Sequence, residues 1–212
     1  MKKLLSISLL SLLFVSCGPK IYKSNDFSSA AATHKIVAIL PAQVSIQLRP
    51  NQAKKITAEQ IQENERTTGY SIQDKMYGWF LRRDNKLNYS VKFQDVSQTN
   101  ALLKAANITY IDLFTTSKTE LAKILGVDAV ISENINMEKP MSEGAAIAVG
   151  ALTGIWGSTN AIAITINIHE HKDGDLIWKY DYNSSGSSFS STDQLVNALM
   201  RNASKKFPYA QR

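Results

Sequence analysis

The sequence predicts a single α/β domain over residues 34–212, and three stretches carry that prediction. Residues 36–40, Ile-Val-Ala-Ile-Leu, are consecutively apolar and end at Pro41, the pattern of a strand buried on both faces. Residues 117–137 read as a helix bearing Leu121, Ile124 and Leu125, a stop at Gly126, and an apolar strand through Ala129, Val130 and Ile131. Residues 161–170 alternate strictly, with Ile162, Ile164, Ile166 and Ile168 on one face. After Lys172-Asp173-Gly174 a partner strand sets Leu176, Trp178, Tyr180 and Tyr182 on one face, which predicts a hairpin.

The amino end is of another kind. Lys2 and Lys3 precede a short apolar run, residues 4–15, and then Ser16-Cys17-Gly18. The run is shorter than the roughly twenty residues a spanning helix needs and has the layout of an export signal. Phe14-Val15-Ser16-Cys17 resembles a lipobox, with Phe14 standing where leucine is commonest. The resemblance implies removal of residues 1–16 as a signal peptide and acylation of Cys17, palmitate included. The mature chain of about 196 residues would then be held at a membrane by lipid on Cys17. An ordinary secretory signal with a chance cysteine and an uncleaved anchor are the alternatives. Gly18 after the cysteine favours the outer membrane, facing the periplasm, under the sorting rule known for some bacteria.

Composition bounds the rest. The formal net charge of +6 falls to +4 once Lys2 and Lys3 are removed, and the remaining basic residues are scattered, so no nucleic-acid partner is expected. Cys17 is the sole cysteine, so once acylated it leaves no thiol for a disulfide, a zinc-thiolate site or a nucleophile. Residues 17–33 are the lipidated cysteine and a polar stretch without periodicity, read as a flexible tether.

In the body, residues 43–48 alternate and extend the first strand past a bend. Residues 57–84 turn helical behind a Thr57–Gln60 capping box, with Gly69 leaving one long helix or two open. Residues 89–96 alternate as a strand, residues 99–106 form a short helix, and residues 193–206 close the chain as a helix.

Candidate chemistry is sparse. His169 and His171 are two residues apart on one strand face, a start for a metal site that lacks further ligands; both rings are expected on the solvated face of the hairpin. Asp173 and Asp175 flank a turn, Glu133 and Glu138 are placed at a strand end, Asp112 in a loop, and no carboxylate pair stands out. Serines cluster between 184 and 191 without a nucleophile elbow, and residues 150–154 lack the Lys-Ser/Thr ending of a phosphate loop. No catalytic residue, metal or cofactor is expected. The unusual stretch is 144–157, uncharged, apolar apart from Thr153 and rich in small residues. Ala146, Gly150 and Gly154 recur every four positions, with Ile155 and Trp156 following, so a helix there would have one smooth face. It reads either as a partner or membrane contact or as a packed glycine-rich connection.

Taken together, residues 36–40 ending in Pro, Leu121-Ala-Lys-Ile-Leu-Gly-Val-Asp-Ala-Val-Ile131, Gly174-Asp-Leu-Ile-Trp178 and Ala203-Ser-Lys-Lys-Phe-Pro-Tyr209 resemble periplasmic lipoproteins of the curli-secretion-channel (CsgG-like) superfamily. Relatives are the penicillin-binding-protein activator lipoproteins and the amino-terminal domain of the Tol translocation protein. The resemblance spans about residues 35–209. It implies a mixed-sheet α/β sandwich with helices packed on the sheet, and a non-catalytic role in envelope transport or assembly. The long amphipathic hairpins that build the channel are not evident here. The leading expectation is a lipid-anchored envelope accessory acting through protein–protein contacts, its partners unnamed by the sequence. The alternatives are an envelope hydrolase on glycan or peptide, whose acids meet only on folding, and a homo-oligomeric ring.

Overall fold

The computed structural model describes residues 19–48, 54, 56–138, 161–185, 192–204 and 206–211. In chain order the elements are β1 (Lys20–Lys23), α1 (Phe27–Thr33), β2 (Ile36–Ile39), β3 (Gln43–Gln47), α2 (Ala58–Leu87), β4 (Lys92–Phe93), α3 (Val96–Ala105), α4 (Asp112–Thr115), α5 (Lys118–Leu125), β5 (Ala129–Glu138), β6 (Ala161–Glu170), β7 (Leu176–Ser185) and α6 (Thr192–Ala203). One mixed sheet runs β1-β7-β6-β5-β2-β4, and β3 pairs with β5 beyond the end of β2. Contacts among β2, β3, β4 and β5 are parallel, whereas β5, β6, β7 and β1 are antiparallel. The expected mixed α/β fold is therefore what the chain adopts.

Alternation explains the two faces. Ile131, Ile135 and Met137 of β5 and the four isoleucines of β6 turn to one side, where they are buried with Ile72, Met76, Trp79 and Phe80 of α2 and Val196, Leu199 and Met200 of α6. Burying an apolar side chain of that size stabilises by about 1.5–3 kcal/mol, so this layer dominates. A second, smaller core on the other side packs Ala38, Leu40 and Val130 against Leu103, Leu121, Ala122 and Leu125 of α3 and α5.

The junction between α5 and β5 is built residue by residue. Ser117 caps α5 by accepting the Glu120 amide, and Gly126 ends the helix at φ 64°, which a side chain would resist. Val127 is buried, and the Asp128 carboxylate accepts the backbone amides of Lys35 at 2.7 Å and Ile36 at 2.9 Å. Asp128 thereby fixes the start of the parallel β2–β5 register. Burial opposes its charge, but these two amides together with nearby His34 and His171 outweigh burial and hold its pKa below the usual value. Asp128→Ala is expected to cost about 2 kcal/mol, since hydrogen bonds to charged groups are each worth roughly 1.5–3 kcal/mol and this carboxylate is partly exposed. The loss should appear in urea unfolding at pH 7 and shrink as pH falls through the folded pKa. An unchanged midpoint at neutral pH would remove this role.

Several expectations are corrected, and the choice left open at Gly69 is decided. Residues 20–33 are not a free tether: β1 pairs with β7 from Lys20↔Asp181 to Lys23↔Trp178, and Phe27 of α1 is buried in the main core. Residues 57–84 are one continuous helix running on to Leu87, capped at both ends by Thr57 with Gln60 and by Asn88 at φ 44°. The strand expected over 89–96 is only Lys92–Phe93, because the Asp95 carboxylate accepts the amides of Ser97 and Gln98 and starts α3. A bulge between Ile168 and His169 lets Ile177 enter the main core and pairs Leu176 with His169, so Leu176 leaves the face shared by Trp178 and Tyr180.

Candidate functional site

Pro41 creates the local geometry. Ile39 pairs with Ile131, yet Gln43 pairs with Asn134, so residues 40–42 hold one residue more than the facing stretch of β5. Pro41 has no amide to continue the ladder, and the chain bulges there before β3 resumes pairing. The bulge is clamped from two sides. Ala42 donates its amide to the Gly69 carbonyl, and its own carbonyl accepts the Tyr110 hydroxyl at 2.7 Å, which in turn accepts the Val44 amide. Burial pushes the Tyr110 phenol up to about 12, so it remains a donor at any physiological pH. Further along, Glu65 accepts the Ile46 amide at 2.9 Å and covers part of the open edge of β3.

Beside the bulge lies a cleft of about 180 Å³. Leu40, Pro41, Leu113 and Phe114 form its apolar side, and Gln43, Lys118, Ser132, Asn134, Asn167 and His169 its polar side. Lys118 donates to the Leu113 carbonyl at 2.9 Å. Burial lowers its pKa, and the proximity of Glu133 offsets this only in part. Burial likewise lowers the pKa of His169, whose Nδ1–H donates to the Gly174 carbonyl.

Glu133, expected at a strand end, sits in the middle of β5 and is 1% exposed. Alternation sets it on the apolar face between Ile131 and Ile135, and neither carboxyl oxygen has a hydrogen-bond partner. Burial raises its pKa well above the ordinary value, and neither its own backbone nor nearby Lys118 overcomes this. It is the one acid of the cleft lining.

The cleft opens onto the half of the sheet that α3, α4 and α5 leave bare. Gln43, Ser45 and Gln47 of β3, Asn134 and Asn136 of β5, and Ala163, Thr165 and Asn167 of β6 share this face, exposed or half-buried. A solvated sheet face is ordinary, but it is usually studded with Lys, Glu, Arg or Asp. None of these eight residues is charged; by register the charged positions of this face fall at its borders, at Glu138 where β5 ends, at Lys20 of β1, and on β7, where Lys179 and Asp181 pair at 3.3 Å and Asp181 accepts the Thr165 hydroxyl. The result is a neutral, amide-rich platform.

The two histidines do not form a site. β6 ends at Glu170, His171 lies in the turn with its Nδ1–H on the Asp128 carbonyl, and His169 is held by Gly174; both are half-buried rather than solvated. Among the described residues no group of three or more His, Cys, Asp or Glu could hold a metal, and no helix is long and apolar enough to cross a membrane. Cys17 and Ala146, Gly150, Gly154, Ile155 and Trp156 lie outside the described residues. The platform and Glu133 were missed from sequence; the amide-rich alternation of β3 and β5 was the available signal.

No family model and no curated protein matches the chain. Among solved structures, lipoprotein GNA1162 from Neisseria meningitidis is 12% identical, with a TM-score of 0.41 over 81% of this chain and 94% of that one. The PelC dodecamer from Paraburkholderia phytofirmans is 11% identical, with a TM-score of 0.43 over 92% and 98%. The LpoB C-terminal domain from Escherichia coli is 11% identical, with a TM-score of 0.38 over 75% and 92%. Bacterial lipoproteins are thus among the structural neighbours. Likenesses this distant establish neither family membership nor activity.

Proposed function

We propose that this chain is a non-catalytic accessory of the bacterial cell envelope, anchored by lipid on Cys17 and acting through protein contacts made by the platform of β3, β5 and β6. The observation that supports this most is the platform itself, a sheet face whose centre bears amides and hydroxyls while the charged positions Glu138, Lys179, Asp181 and Lys20 stand at its borders. Such a surface binds by short-range hydrogen bonding and shape rather than by long-range steering, so attachment to partners should be insensitive to salt. Anchoring compensates for weak contacts by confining both partners to one membrane surface. The curli-secretion-channel-like resemblance and an outer-membrane location facing the periplasm fit this reading. A glycoside hydrolase of the usual kind would require two carboxyls across a cleft, and the described cleft lining contains Glu133 alone.

The test is a photo-crosslinking residue at Ser45, Asn136 or Thr165 in intact cells. Discrete adducts to envelope proteins are expected from all three positions, unchanged between low and moderate salt in isolated envelopes. Position 59, exposed in the first turn of α2, should give none. Adducts to a second copy would favour the homo-oligomer, and no adducts from any platform position would remove the reading.

A further inference from the structure

Strand β1 has properties that the platform does not use. It ends the sheet, so its inner edge pairs with β7 while its outer edge has no strand partner among the described residues. All four of its residues are exposed, including Ile21 at 42% and Tyr22 at 50%, and Lys20 and Lys23 close the two ends. By register Ile21 flanks this edge on the Tyr180 side of the sheet and Tyr22 on the Lys179 side, with Lys20 beside Tyr22 and the Lys23 ammonium over the Phe27 ring. An edge with an apolar side chain on one flank, an aromatic one on the other and a lysine at each end matches the water–lipid interface, where aromatic rings and lysine stems lie among headgroups. The lysines also discourage a further strand from adding to this edge, and four residues offer far less area than a stable interface between copies needs. Position is the second observation: only Gly18 and Pro19 separate Lys20 from Cys17, a span of about 11 Å at most when fully extended.

We propose that β1 is a membrane-interface strand that seats this edge of the sheet on an anionic lipid surface. The proposal rests on the anchoring at Cys17 argued above. Six strands at a spacing of about 4.8 Å place the β4 edge roughly 24 Å from β1, with exposed Leu81 beside it and beyond the reach of headgroups. The platform then faces sideways, parallel to neighbouring anchored proteins rather than toward the lipid.

The experiment uses the full protein purified from membranes and reconstituted into vesicles of three parts phosphatidylethanolamine to one of phosphatidylglycerol. Because Cys17 is the sole cysteine and acylation consumes its thiol, Ile21→Cys, Tyr22→Cys and Leu81→Cys each supply one site for an environment-sensitive fluorophore. Labels at 21 and 22 are expected to emit at shorter wavelength than the label at 81 and to be quenched at least twofold more by a lipid-borne quencher. Adding Lys20→Glu and Lys23→Glu should abolish the difference. Mass spectrometry of the amino-terminal peptide keeps the two ideas apart. An unmodified Cys17 overturns anchor and interface strand together; an acylated Cys17 with identical spectra at 21, 22 and 81 overturns the interface strand alone. Labels at 21 and 22 that are shielded only as protein concentration rises would assign the edge to a second copy and overturn the proposal.

Discussion

Gly69→Ala is expected to lower the melting temperature by about 4–8 °C, against the usual direction of that substitution in a helix. Alanine is favoured over glycine in a helix interior by about 1 kcal/mol. At position 69, however, a Cβ would stand 2.3 Å from the Ala42 carbonyl oxygen and 2.8 Å from the Tyr110 hydroxyl. The first of these is backbone in the bulge that joins β2 to β3, so relief requires moving a strand junction rather than rotating a side chain. Overpacking of this kind costs up to about 3 kcal/mol or more, and the shift also loosens the Ala42–Gly69 and Tyr110–Ala42 hydrogen bonds. A net loss of about 2 kcal/mol corresponds to the stated fall for a domain of this size. Gly78 in the same helix supplies the control. A Cβ there meets only the end of the flexible Arg82 side chain at 3.4 Å, so Gly78→Ala should raise stability by up to about 1 kcal/mol. Equal effects at the two positions would mean that α2 does not approach the bulge as described.

The second large effect concerns Glu133. An unfolded glutamate ionises near 4.5, whereas burial keeps the folded group neutral to a much higher pH. The folded state therefore binds the proton more tightly, and its contribution is fully present below pH 4.5 and lost as pH rises toward the folded pKa. The slope in that window is about 1.4 kcal/mol per pH unit. Burial lowers the pKa of His34 and His169, which destabilises the fold in the opposite sense as pH falls below 6.5. Comparing wild type with Glu133→Gln at each pH cancels the histidines. The glutamine variant should gain on wild type progressively as pH rises above 4.5, as read from urea midpoints. Glu133→Leu should gain about 1–3 kcal/mol more, because it also removes a buried polar group without partners. Parallel pH profiles for all three proteins would show that Glu133 is solvated or paired.

What the sequence revealed depended on whether an element carries its own pattern. The isoleucines of β6 and the Ser117 to Gly126 helix specify their structure locally, and both were legible to within a residue or two. Strand β1 has no alternation of burial and exists because β7 offers an edge, so nothing within residues 20–23 announces it. Residues 89–95 alternate convincingly, yet side-chain capping by Asp95 competes with extension and ends the strand early. Glu133 was hidden for a related reason: a carboxyl in an apolar strand is normally its exit to solvent, and only the packing of the main core on that face of the sheet buries it. The bare platform required knowing which face α3, α4 and α5 leave uncovered, a tertiary fact.

The sheet order also sets a timetable. β2 must wait for β5, about 90 residues later, before its apolar face and ladder are satisfied, and β1 must wait about 160 residues for β7. Loop closure over such separations is slow compared with helix formation, so α2 and α5 can form while the strands around them are still unpaired. The first strand to appear is the last to dock. A chain emerging amino end first thus carries the sticky run of residues 36–40 unpaired while about 90 further residues are made, and it gains its complete sheet only when nearly all of it is available.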